Sequence, residues 1–319
     1  MKQLEGRSDN PGQHPDVIFA TYVQSNEQLL YACFLAESIR EFAGRLRTAP
    51  IRVYIPMEFD NPDKKLLDRL SDYDVETRQS RIPEYAAWFY YAGKVFAASM
   101  AEGDAENAAA VLIWLDDDTI FLREPADLIL DDSISFAYRP VMHNRSGSLY
   151  DEPPDPFWSR IYRILEVSDN MLFPVVTPAD QQKIRAYFNA GLLAVRPAKA
   201  ILRRWAQAFT DLCRDSVITD MCRQDVTNRI FLHQTALVGA VLKTVARDQT
   251  RQLSDAYNYP LFFKRQYGAL HEFDDLSEVI TLRYDVYFKD PDPGWQHQLK
   301  GPPRMIQWLS DRLGSEEQR

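Results

Sequence analysis

Three consecutive aspartates follow directly on an apolar run in Ile113–Phe121 (IWLDDDTIF). Side chains alternate along an extended chain, so Asp116 and Asp118 point to one side of it. Like charges this close repel one another, and a divalent cation held through carboxylate oxygens relieves that repulsion. The carboxyl end of a buried strand is also where open α/β sheets place their ligands. The plainer alternative is an acidic turn that caps the structure beginning near Pro125.

The elements around this run alternate in type. Asp16–Gln24 (DVIFATYVQ) is a short apolar, β-branched strand, and Glu27–Leu46 repeats its apolar residues at helical spacing. Pro50–Pro56 reads as a second strand, Asn61-Pro62-Asp63 opens a second helix, and Asp74–Arg78 is a third short strand. A helix over Glu84–Met100 then leads to the fully apolar strand Ala109–Leu115. This rhythm predicts an α/β fold with a mostly parallel central sheet and flanking helices. Met142–Pro178 is rich in proline and reads as a functional loop carrying Tyr150, Phe157 and Trp158. Regular structure resumes with the strand Tyr187–Val195, a helix over Ala198–Cys213 and a helix over Asp225–Leu242; the last 70 or so residues read as strand and loop. One domain over 1–319 is expected, with two halves, 16–140 and 141–300, and polar tails at 1–15 and 314–319.

Composition narrows the function classes. The 37 Lys and Arg against 46 Asp and Glu give a formal net charge of −9, the wrong sign for a protein that wraps duplex nucleic acid. No nucleic-acid partner is therefore expected. Cys33, Cys213 and Cys222 form neither a disulfide framework nor a CxxC site, which points to a reducing compartment. The longest apolar run, Ala108–Leu115, is far short of the roughly 20 residues a bilayer span needs. With a polar N-terminus, a cytoplasmic location is the expectation.

Two metal-assisted chemistries place a DxD pair at a strand end. One is glycosyl transfer, where the pair holds a cation against a nucleotide diphosphate; the other is haloacid-dehalogenase-type phosphate hydrolysis, where the first Asp is the nucleophile. The hydrolase pattern wants Thr or Val where Ile120 stands, and it usually sits on the first strand. Ala20-Thr21-Tyr22, Lys94, Leu115–Thr119 (LDDDT), Phe188-Asn189-Ala190-Gly191 and His233-Gln234 instead occur in the order of the landmarks of a GT-A-fold glycosyltransferase. The chain resembles the retaining glycogenin and lipopolysaccharide galactosyltransferase type over about residues 16–295.

That resemblance implies a UDP-sugar donor, Mn2+ or Mg2+, and a set of roles. Ala20, Thr21 and Tyr22 would contact the nucleotide, and Lys94 would lie near the sugar nucleotide. Asp116 and Asp118 would share the metal, with Asp116 or Asp117 reaching the ribose. Asn189 and Gln234 would line the sugar and face its oxocarbenium-like transition state. Two positions depart from the family pattern. His233 stands where an Asp is usual, and the C-terminal stretch that should supply a metal-binding His reads Arg283–Lys289 (RYDVYFK). Asp285 is the candidate oxygen ligand there, Lys289 the candidate diphosphate contact, and His271 and His297 the fallbacks; if none coordinates, the metal is weakly held or Arg283 and Lys289 do part of its charge neutralisation.

A cation and a lysine stabilise a leaving diphosphate without protonating it. The aromatics of the Met142–Pro178 loop could stack on sugars or simply cover the sheet. The basic, aromatic run Lys243–Gly268 could meet an anionic membrane surface or a phosphorylated acceptor, or be a solvated face. The acceptor class stays open between glycan, lipid-linked and small molecules. A sugar-nucleotide or glycan-binding protein without catalysis is the non-enzymatic alternative.

Overall fold

The computed structural model describes residues 16–261, 273, 275–284 and 294–314. Asp285, Lys289 and His271 lie outside the described residues.

The first half follows the sequence rhythm: β1 (Val17–Tyr22), α1 (Asn26–Phe42), β2 (Ile51–Pro56), α2 (Lys64–Asp72), β3 (Val75–Ser80), α3 (Ala92–Ala105) and β4 (Val111–Leu115). Then come β5 (Thr119–Phe121), β6 (Phe136–Pro140), α4 (Pro156–Ile164), and the antiparallel pair β7 (Pro174–Val176) and β8 (Lys183–Arg185). β9 (Phe188–Val195), α5 (Ile201–Arg214), α6 (Ser216–Gln224) and α7 (Val226–Thr244) follow. The chain closes with β10 (Thr250–Gln252), β11 (Tyr259–Pro260), β12 (Thr281–Arg283) and α8 (Pro303–Leu313). Helix starts are marked by side chains that accept orphan backbone N–H groups: Ser25 from Gln28, Asp63 from Lys65, Asp155 from Trp158 and Asp225 from Thr227.

The central sheet runs β10-β6-β9-β4-β1-β2-β3 and is parallel except for β9, which lies antiparallel between β4 and β6. Alternation along each strand feeds two cores, one per face. Ile18, Ala20, Tyr22, Leu112 and Trp114 pack on one side with residues of α3, α5 and α7. Val17, Phe19, Val111, Ile113 and Leu115 pack on the other with α1. Burying each such Val, Ile or Leu contributes roughly 1.5–3 kcal/mol, so the strand order is set by these side chains rather than by the loops. A third core gathers around β5, β11, β12 and α8, where Ile120, Leu282 and Leu309 meet.

Several local expectations are corrected. The helix expected over 84–100 is split: a short turn covers Glu84–Ala86, and α3 starts only after Tyr91, whose φ of 59° breaks the helical path. The supposed loop 142–178 contains α4 and β7, and its Phe157 and Trp158 are buried in the main core. Trp158 also donates from Nε1 to the Ser146 carbonyl at 2.9 Å, so it holds the fold and cannot stack on a sugar. In the basic run, Lys243 pairs with Glu166 at 2.6 Å, Arg251 pairs with Asp131, and Arg247 lies over the Phe173 ring; its Lys264 and Arg265 lie outside the described residues. The helices α6 and α8 were not anticipated.

Candidate active site

At the carboxyl ends of β1 and β4 the chain opens into a cleft of about 890 Å³. Asp116 leaves β4 on the same face as Trp114, the face covered by α3. There it meets Lys94 of α3 in an ion pair, both groups being largely buried. Lys94 is thus a paired, largely buried cation rather than a solvated helix side chain. Burial alone would raise the Asp116 carboxyl; the Lys94 ammonium and the Arg283 guanidinium outweigh it and hold that carboxyl below the usual carboxylate range. Asp117 behaves in the opposite sense, pushed up first by burial and then by repulsion from Asp118 and Asp116.

Because β9 runs against β4, its first residues pass beside the aspartates. The Asp116 N–H donates to the Gly191 carbonyl at 2.8 Å. A Cβ on Gly191 would stand 2.3 Å from Asp116 Oδ2, so only glycine lets the strand approach this carboxylate. Gly93 does the same for Tyr22, whose hydroxyl would lie 2.1 Å from a Cβ there.

Asp118 is positioned by the small sheet β11-β12-β5. β12 pairs antiparallel with β5, placing Arg283 opposite Thr119, the residue after the three aspartates. Its guanidinium grips Asp118 with two bonds, Nε to Oδ1 at 3.2 Å and a terminal nitrogen to Oδ2 at 3.1 Å. The same terminal nitrogen is 3.4 Å from Asp116 Oδ2.

The facing wall comes from α7. Gln234 is buried, lines the cleft, and its Oε1 has no hydrogen-bond partner among the described residues. His233 is buried beside it, with Nδ1 at 2.9 Å from the Ile230 carbonyl. A carbonyl only accepts, so Nδ1 carries the proton and Nε2 presents a lone pair. Burial, then the neighbouring Lys94 charge, lowers the His233 pKa to about 3, so it is a neutral acceptor at ordinary pH. Asn189 Oδ1 accepts from the Gly191 N–H at 2.8 Å, which commits its oxygen and leaves the amide nitrogen as the donor it can offer the cleft.

The expected residues thus fall into three groups. Tyr22, Lys94, Asp116, Asp117, Asp118, Asn189 and Gln234 all line the cleft. Ala20 and Thr21 are both buried and do not line it, because only the last residue of β1 emerges from the core. Asp285 and Lys289 are outside the described residues, and His297 is exposed, away from the cleft. Three further cleft residues were not singled out from sequence. Arg145, exposed on the cleft wall after β6, makes no ion pair with a described residue. Among the described residues, the Oδ1 of the buried Asn258, which sits at φ 54°, and the buried Trp114 Nε1 have no hydrogen-bond partner. An unpaired buried polar group costs roughly 1–3 kcal/mol, so three such groups around one cleft (Gln234, Asn258 and Trp114) mark it as built for a polar ligand.

The expected cation ligands are Asp116, Asp118 and Asp285. Oxygen donors suit Mn2+ or Mg2+, and the first two come together as expected. Both are, however, already matched by organic cations, Lys94 on Asp116 and Arg283 on Asp118. No group of three His, Cys, Asp or Glu among the described residues could hold a metal ion. As a donor set, the described residues therefore do not fit a resident divalent cation. Burial pushes the Cys33 and Cys222 thiols up to about 12, which leaves no reactive thiolate there.

No curated protein matches the sequence. Among solved structures, a galactosyltransferase LgtC in complex with donor and acceptor sugar analogues superposes with a TM-score of 0.52 at 13% identity, covering 93% of this chain and 95% of that one. The WbbM bifunctional glycosyltransferase gives 0.51 at 11% identity, covering 96% of this chain and 53% of that one. At such identities these likenesses concern the fold, which is GT-A. A glycosyltransferase is not a haloacid-dehalogenase-type hydrolase, so the phosphatase alternative falls with the family match. The profile of the Rhodobacterales glycosyltransferase domain matches residues 19–244, more than half of the chain, and the protein belongs to that family of transferase enzymes.

Proposed function

We propose that the cleft binds a nucleoside diphosphate sugar, with UDP as the nucleotide, and transfers the sugar to a glycan acceptor. The observation that carries this reading is the pairing of Asp116 and Lys94 at the carboxyl end of β4, facing an α7 wall whose Gln234 oxygen has no partner among the described residues. Lys94 is placed to meet negative charge developing on a leaving diphosphate. Gln234 Oε1 is an acceptor with no donor among the described residues, suited to a sugar hydroxyl or to the cationic ring of the transition state. Neutral His233 Nε2 can accept from a sugar hydroxyl, which is the hydrogen-bonding part of what an aspartate would do there.

Gln234 and Asn189 are amides and take up no proton. The acceptor hydroxyl would then pass its proton to the departing phosphate oxygen on the same face, which favours retention of configuration. The new bond forms between the acceptor oxygen and the anomeric carbon as the bond from that carbon to the diphosphate oxygen breaks.

For the acceptor, exposed aromatics cluster along Trp88–Tyr91. Trp88, Tyr90 and Tyr91 are 38%, 48% and 50% exposed, and Tyr91 lines the cleft. The Arg229 guanidinium lies 5.5 Å from the Trp88 ring and 5.0 Å from the Tyr90 ring, fixing a flat surface of the kind on which sugar C–H faces stack. Titration calorimetry with UDP tests the reading: one site per chain is expected, weakened at least tenfold in Asp116→Asn. Absence of UDP binding under every ionic condition would remove it.

A further inference from the structure

Among the described residues, the cations paired with the aspartates and the unpaired arginine of the same cleft come from different elements. Arg283 arrives on β12, Lys94 on α3, and Arg145 on the loop after β6. We propose that the Arg283 guanidinium is the resident cation of the Asp116–Asp118 pair, and that Lys94, Arg145 and Arg283 hold the donor's diphosphate without a divalent ion. The proposal rests on the nucleotide-sugar reading of the same cleft.

Geometry supports it at three points. Arg283 is not a loose side chain that happens to fall on a carboxylate. Its backbone is fixed by the β12–β5 register, and the following residue, Tyr284, donates from its N–H to the Asp118 carbonyl at 3.4 Å. The fork contacts Asp118 through two nitrogens at 3.1 and 3.2 Å and reaches Asp116 at 3.4 Å, so it bridges the two carboxylates as a divalent ion otherwise would. A divalent ion entering between them would have to displace a planar, permanently charged group that makes two parallel bonds, against the repulsion of that group and of Lys94.

Lys94 and Arg283 offset the charges of Asp116 and Asp118. A diphosphate arriving at this balanced set brings its own negative charge, and Arg145 stands on the cleft wall with no ion pair to a described residue. Backbone and side-chain donors of arginine and lysine suit phosphate oxygens, arginine in fork geometry and lysine as a point charge. The class of ligand is therefore a pyrophosphate diester, with three organic cations in the place of a metal and a lysine.

Two measurements on the wild-type chain, with no substitution needed, decide the matter. Electron paramagnetic resonance of Mn2+ added to the protein should show no uptake below millimolar concentrations, with or without UDP. UDP titrated calorimetrically in EDTA and in Mn2+ should give dissociation constants within about twofold. Micromolar uptake of Mn2+ by the wild type, or UDP binding lost in EDTA and restored by Mn2+, would overturn the proposal. A chain that binds no UDP at all would instead remove the nucleotide-sugar reading, while the Mn2+ signal still reports on Arg283. In support, Arg283→Ala should bind UDP at least tenfold more weakly and take up Mn2+ at least tenfold more tightly than wild type. Arg145→Met should weaken UDP about fivefold and leave uridine binding unchanged.

Discussion

Arg283 and Asp118 lie 165 residues apart in sequence and meet as a two-pronged ion pair at the centre of the cleft. The contact exists because β12 adds antiparallel to β5, the strand that begins one residue after Asp118. The three-stranded side sheet is thus part of the active site, holding one carboxylate in place while the main sheet delivers the other. The consequences can each be measured.

Lys94→Met removes the ammonium from a largely buried carboxylate. Asp116 then loses the charge that keeps it below the usual range, and a breached buried pair typically costs about 3–5 kcal/mol, less here because neither group is fully enclosed. Sugar transfer should fall about 100-fold or more. Thermal unfolding and initial rates on the same preparation check both effects.

Gly191→Ala should damage chemistry more than folding. The added methyl carbon would stand 2.3 Å from Asp116 Oδ2, so the carboxylate must shift. An overpacking cost of about 1–3 kcal/mol is expected, and the chain should still melt cooperatively. UDP binding should weaken at least tenfold, read by calorimetry.

Gln234→Leu separates function from stability. The wild-type oxygen is buried without a partner among the described residues, so replacing the amide with an apolar group of similar size should leave the melting temperature unchanged or higher. Turnover should drop by about 10–100-fold with little change in donor KM, because the group acts on the transition state. A variant that keeps full turnover would mean that Gln234 does not face the reacting sugar.

His233 sets a pH signature. Its folded pKa is lowered to about 3 from 6.5, so between those values the unfolded chain binds a proton that the folded chain does not. Stability from this residue is full above pH 6.5 and is lost as pH falls toward 3. In His233→Asn, the loss of stability between pH 6.5 and 4 should be smaller than in wild type. Denaturant midpoints at several pH values read the difference.

Trp88→Ala should raise acceptor KM several-fold while donor KM stays put, because the exposed ring is not among the residues that line the cleft. Steady-state kinetics with both substrates varied would show it.

Much of this site was legible from order alone. A buried strand ending in carboxylates was readable from its own pattern, while Lys94 and Gln234 were read from the order of landmarks in the family resemblance. What failed was non-local or masked by punctuation. Arg283 could be read as a cation taking part of a metal's charge neutralisation, but not as the partner of Asp118, because that pairing depends on the register of a sheet closed across 165 residues. Ala20 and Thr21 were carried along with Tyr22 although both are buried in the core, short of the strand end from which Tyr22 emerges. Phe157, Trp158, Ile161 and Tyr162 do have helical spacing and all face the core, but the surrounding prolines disguised α4 as loop.

The most direct test of the account is release of UDP from a panel of UDP-sugars, followed by chromatography, with wild type and Asp116→Asn side by side in EDTA. The account predicts that at least one UDP-sugar is turned over by the wild type and that the variant loses most of this activity. Wild-type protein that turns over no UDP-sugar with or without added divalent ion, or a variant as active as wild type, would contradict it.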